Sequence, residues 1–245
     1  MTDTTQAAWR EYRVTPERRD DAKRARAAIF VVSGVLLLLS LLPWLLFLPG
    51  VGVRPRLAYS ALILTALALL LILRVVLIAR KADRFVAPDG AMLRLGPDGI
   101  TVAGDTLIPW QAVSGVWALD SAPALRARAQ STVFGAPGRL MLRAGTNTAN
   151  VTIGIVEATW VHDPAQRLHR FKQQSTGYTP ARLEFPFGSQ FGTEELHDAF
   201  TVFRWALPPE VPVRLASGAF DYAGAWAGTA DDVATIRARE AGLTA

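Results

Sequence analysis

The chain has 245 residues, 51% of them hydrophobic, and no cysteine, so disulfide staples, thiol nucleophiles and zinc–thiolate sites are excluded. That length holds one ordinary domain plus accessory segments. The formal charge of +5 invites a nucleic-acid partner, but the excess is confined: residues 1–84 carry a net +7 and residues 85–245 a net −2. The basic residues flank two hydrophobic runs, so no nucleic-acid partner is inferred.

Residues 1–26 form a basic amino-terminal segment. Within it, "VTPERRDDAKRARAA" reads as a helix start: Thr15 can cap, Pro16 suits the first helical position, and Glu17 complements the dipole. Residues 27–80 follow as a predicted transmembrane hairpin. Its first run, 27–48, is free of charge and at ~1.5 Å per residue reaches about 33 Å. Its second, 57–78, is interrupted only by Arg74, which either marks an intramembrane site or snorkels to headgroups. The connector "PGVGVRPR" suits a tight antiparallel turn, with Trp44 and Tyr59 at its flanks. Basic residues sit before the first run and after the second. The positive-inside rule therefore predicts a two-span protein of the plasma membrane with both termini in the cytoplasm.

From Phe85 the pattern changes to short alternating runs broken by Gly, Pro and Asp, predicting a cytoplasmic β-rich domain over 85–207. "AMLRLGPDGITVAG" reads as a hairpin, "GRLMLRAG" and "NVTIGIVEATWV" as two strands, and "ARLEFPFG" as another. "GTEELHDAFTVFRWAL" turns helical, with Thr193 as the cap and Leu196, Phe200 and Phe203 on one apolar stripe. Strands closed by one amphipathic helix predict an α+β architecture: the two-helix hairpin, then an antiparallel barrel or half-barrel capped by that carboxy-terminal helix. The tail, 208–245, holds a possible short helix in "TADDVATIRARE".

The stretch "TLIPWQAVSGVWAL" carries the clearest family signal. With "GITV" (99–102), "LEFPFG" before the Leu196/Phe200 helix, and "YRVTPE" (12–17), "IPWQAV" (108–113) resembles the bacterial pleckstrin-homology-like (PH-like) membrane proteins, in particular the YcxB-like architecture. The resemblance covers most of 10–207. It implies that Trp110 packs in or beside the core, where its indole N–H wants a partner. Pro109 fits an edge or bulge. Residues 157–181 and the tail depart from the family pattern.

His162, His169 and His197 are the only histidines; a pair seven apart with no nearby acidic partner except Asp163 is weak for metal, and no catalytic or nucleotide-binding motif is present. No cofactor and no enzymatic activity are therefore expected. What the resemblance implies is a membrane-anchored, non-enzymatic interaction module at the inner leaflet, contacting anionic lipid, a protein partner or another copy of itself. The alternative is an accessory or regulatory subunit of a larger membrane complex, with small residues such as Ser60, Thr65 and Ala68 for close helix contact. Within the domain, residues 121–182 carry a net +6. Arg126, Arg128, Arg167, Arg170 and Lys172 either converge on a basic face toward headgroups or scatter around the strands.

Overall fold

The structure, a computed structural model, describes residues 9–45, 55–121, 127, 130, 149–174, 177–189 and 191–216. In the helical hairpin some positions, Arg74 among them, are described by backbone alone.

The amino-terminal segment is not a separate arm. Its residues Arg10–Arg13 form β1, which pairs antiparallel with β2 (Ala91–Gly96) across the whole length of the hairpin in sequence. Tyr12 and Val14 are buried while Arg13 between them is exposed, the period-2 alternation of a half-buried strand. Helix α1 (Pro16–Leu45) then starts where the sequence predicts, with the Arg18 N–H donating to the Thr15 hydroxyl at 3.4 Å. Helix α2 (Pro55–Arg84) returns beside it.

β2 turns through Pro97-Asp98 into β3 (Gly99–Val102), which pairs with β4 (Thr106–Ile108). Gly99 is required there. Its φ is +142°, and a Cβ would lie 2.2 Å from the Ile108 carbonyl oxygen, so any side chain would force β3 and β4 apart. Pro109 ends β4 and leads into a single 3-10 turn, Trp110–Ala112, whose Ala112 N–H donates to the Pro109 carbonyl. The "IPW" stretch is thus the corner at which the chain leaves one sheet for the next.

The second sheet is built on β5 (Val113–Asp120) and β6 (Ala149–Ile155). β8 (Ala181–Phe185) pairs with β6, the two-residue β7 (His169–Arg170) with β8, and β9 (Val213–Ala216) runs parallel to β5. The strand orders are β1-β2-β3-β4 and β7-β8-β6-β5-β9. Helix α3 (Thr193–Ala206) places Leu196, Phe200 and Phe203 in the core with Leu95, Ile100 and Phe185. Gly192, not Thr193, holds its cap position, and the Glu195 carboxylate reaches back to accept the Gly192 N–H at 2.9 Å.

Two expectations are corrected. The α+β class stands, but the sheets do not close into a barrel. Among the described strands they form two separate sheets, because three-residue β4 stops at Pro109 and the chain turns away; an isolated bridge, Leu107 with His162, ties β4 to the 157–181 excursion instead. Among the described residues, moreover, no helix is long and apolar enough to cross a membrane. The first three turns of α1 are charged from Glu17 to Arg26, and its apolar run of described side chains, 27–40, rises only ~21 Å against a hydrocarbon core of about 30 Å. The two spans and the plasma-membrane placement with cytoplasmic termini therefore do not stand. Residues 46–54, most of the connector among them, one of the predicted strands ("GRLMLRAG") with the turn after it, and the possible helix in "TADDVATIRARE" lie outside the described residues.

Candidate interaction surfaces

The hairpin carries its polarity reversed. On α1 the buried positions are Ala22, Ala25, Arg26, Ile29, Ser33 and Ser40, a helical stripe that faces α2, where Ala68 is fully buried. Small and polar residues thus fill the seam. Thr65 of α2 donates its hydroxyl to Ser40 at 2.8 Å, and Ser40 in turn donates to the Leu37 carbonyl at 2.7 Å. Thr65 and Ala68, read from sequence as contacts for other helices, are used inside the hairpin. Outside it stand Val31, Leu38, Leu62, Ile63 and Leu70, each more than half exposed.

At the base of the hairpin Arg26 is buried, with Nη1 3.6 Å from Asp83 Oδ1. Above it one ion pair joins hairpin to domain, while an ion pair and a hydrogen bond from β1 hold the first sheet to α3. Arg18 of α1 meets Glu195 of α3 at 2.9 Å, Arg10 meets Asp198 at 3.3 Å, and the Tyr12 hydroxyl donates to Asp198 at 2.7 Å. Burial opposes ionisation of Glu195, but the Arg18 guanidinium and the backbone N–H bonds outweigh it and hold the carboxyl below its ordinary range. Burial, then the bond to Asp198, pushes the Tyr12 phenol up.

The aromatic residues split into two groups. Trp110 lies beside the core, half buried, donating its indole N–H to the Gly96 carbonyl at 2.9 Å and set edge-on to Phe203. Trp9 stacks on it with centroids 6.3 Å apart, and Trp205 meets Trp9 edge-on at 5.2 Å. Trp9 and Trp205 remain 40% and 54% exposed, so three indoles form a surface cluster. Trp117, in contrast, is fully buried and folds back over Gly115.

The basic residues singled out from sequence divide as well. Arg126 and Arg128 lie outside the described residues. Arg167 is a structural clamp: its Nε donates to the Arg84 carbonyl at 2.9 Å, and its Nη1 bonds Thr106 at 2.8 Å and the Asp105 carboxylate. It ties the end of α2 to β4 and to the 157–181 excursion, with its side chain only 10% exposed. Arg170 and Lys172 are exposed at the β7 edge, and Arg182 lies over the Phe171 ring at 5.6 Å.

The excursion itself is pinned by a buried carboxylate. Glu157 accepts from the Thr159 N–H at 2.9 Å and the Thr179 N–H at 2.7 Å, closing a loop of more than twenty residues at both ends. Asp163 repeats the device locally, accepting from the N–H groups of Arg167 and Leu168. No cluster of three potential metal ligands occurs among the described residues.

The sequence reading missed β1, the indole cluster and the reversed hairpin. Tyr12/Val14 alternation signals the first. A tryptophan off the apolar stripe of α3 signals the second. Serines spaced seven apart among leucines, Ser33 and Ser40, signal the third.

These features define an α+β domain of two sheets carrying an apolar helical hairpin. Comparison of the chain with protein-family models, with curated proteins and with solved structures returns no match.

Proposed function

We propose that the protein is a non-enzymatic interaction module in which the hairpin is the attachment element and the two-sheet domain is what it presents. The reversed polarity of α1 and α2 carries this reading. A helix pair folded for water buries its leucines; this one buries Ser33 and Ser40 and exposes Leu38, Leu62 and Leu70, and apolar surface of that extent marks a site that another molecule covers. The interhelical Thr65–Ser40 bond keeps the seam closed without needing burial of the leucines. The Trp9/Trp110/Trp205 cluster offers the domain a recognition surface of the kind enriched at interfaces. From the PH-like resemblance the reading keeps only recognition in place of catalysis.

The test is the hydrodynamic behaviour of the full chain. It is expected to aggregate in plain buffer, to become monodisperse in mild detergent, and to co-purify with whatever covers the hairpin. A monodisperse monomer in plain buffer, with no bound protein or lipid, would overturn the proposal.

A further inference from the structure

β9 is the edge of the second sheet, and its pairing fixes which of its backbone groups are free. It runs parallel to β5 in the register Val116–Val213 to Leu119–Ala216, and the Val116 N–H donates to the Pro212 carbonyl at 2.8 Å. In a parallel ladder alternate residues bond the same neighbour, so Pro212, Arg214 and Ala216 turn their backbone groups toward β5. Val213 and Leu215 then turn theirs outward, and among the described residues no strand meets that edge. Prolines guard the approach at 208, 209 and 212, but none stands at either outward position.

Beside the start of this edge lies a concavity of about 370 Å³, walled by the end of α3, the 207–212 segment and β9. Arg204 and Arg214 both line it, and neither forms an ion pair or side-chain hydrogen bond among the described residues. Glu210 shares the rim, leaving two positive charges to one negative. Arg204 also faces the helix dipole favourably, as the basic residue of the last turn.

We propose that the outer edge of β9 receives an extended acidic segment of a protein partner as an added strand. Its main chain bonds the outward groups of Val213 and Leu215, and its carboxylates pair with Arg204 and Arg214. Main-chain bonding supplies affinity and the side-chain pockets supply selectivity in this mode of recognition. The free charges choose the occupant. A second copy would bring another positively flanked edge against this one, whereas an acidic strand meets guanidinium groups suited to carboxylates. The proposal concerns a surface apart from the hairpin and stands or falls independently of it.

The geometry supplies an unusual test, because Leu215→Pro deletes an outward N–H while leaving the β5 ladder intact, a placement proline tolerates. The probe is a fluorescein-labelled ten-residue peptide of alternating Val and Glu, titrated by polarisation against the full chain in mild detergent. Saturable binding is expected, weakened about tenfold or more by R204A/R214A and by L215P, and absent for the Val/Lys counterpart. Circular dichroism checks that each variant is folded; should L215P unfold, a peptide N-methylated at alternate residues must lose binding to the native chain. No binding, equal binding of the Glu and Lys peptides, or binding indifferent to both edge changes would overturn the proposal. So would self-association that L215P abolishes while the acidic peptide fails to bind.

Discussion

The two-sheet domain and the helical hairpin obey opposite rules of burial within one chain. In the domain Phe185, Phe187 and Phe203 are fully buried and arginines such as Arg94 are exposed. In the hairpin Arg26 and Ser33 are buried and Leu38 and Leu70 are exposed. The domain is held together by apolar area removed from water. The hairpin has spent little of its apolar area on itself, so its stability as a pair rests on close backbone approach, the Ser40–Thr65 bond and the surroundings of its outer face.

The largest effect that sharpens this contrast is truncation of the core. Phe203 is fully buried and touches both Trp110 and Phe200, so Phe203→Ala should cost about 3–5 kcal/mol in domain stability, read from denaturant unfolding of the full chain in mild detergent. Leu38→Ala, removing an aliphatic side chain that is 65% exposed, should leave that transition in place. Comparable losses from the two would mean that the outer face of the hairpin is packed by the chain itself, and the contrast would fail.

Next comes the buried carboxylate. Glu157→Ala strands the N–H groups of Thr159 and Thr179 and is expected to cost about 1.5–3 kcal/mol, the range for hydrogen bonds to a charged group. Hydrogen exchange should rise across 157–181 first. If exchange there is unchanged, the excursion is held by something other than its staple.

A smaller effect probes the hairpin seam. Thr65→Val keeps the shape of the side chain and removes its donor, leaving Ser40 bonded to the Leu37 carbonyl. About 0.5–1.5 kcal/mol is expected, in the hairpin alone. Loss of domain stability from this change would show the two regions to be one cooperative unit.

What could be read from sequence follows the same division. The helix start at Pro16, the β2–β3 turn and the Leu196/Phe200/Phe203 stripe are local patterns, and the structure places each where its pattern puts it. That the sheets stay open was not legible, since closure depends on where strands far apart in sequence meet, and β1 crosses the whole hairpin to reach β2. The two runs of leucine read as spans from their apolar length, their connector and their basic flanks. Burial of Ser33 and Ser40 in the seam is a fact of pairing that composition does not carry. Arg167 shows the same limit. It lies in a basic stretch and reads as a surface contact, yet its partners Arg84, Asp105 and Thr106 come from elements some sixty or more residues away.

The smallest effect lies at the junction where the two regions meet. Glu195 of α3 is the partner of Arg18 at the start of α1, and it also closes the first turn of its own helix by accepting the Gly192 N–H. Its carboxyl titrates below the ordinary value of 4.5 in the folded chain. A depressed carboxylate contributes stability that is fully present above the unfolded value and is lost as pH falls through the folded one. The Arg18–Glu195 link should therefore be intact at neutral pH and weaken below about pH 4.5. Because both side chains are partly exposed, solvent screens the pair and the effect stays small. Glu195→Gln should remove that part of the acid sensitivity while keeping an acceptor for the Gly192 N–H. Exchange at the first turns of α1 and α3, followed from pH 6 to pH 3, distinguishes the outcomes. Native protein should loosen at both helix starts together, and the glutamine variant should already be loose at α1 yet show little further change on acidification. If the native protein loosens at α3 alone, Glu195 serves only its own helix, and the Arg18 pair does not couple hairpin to domain.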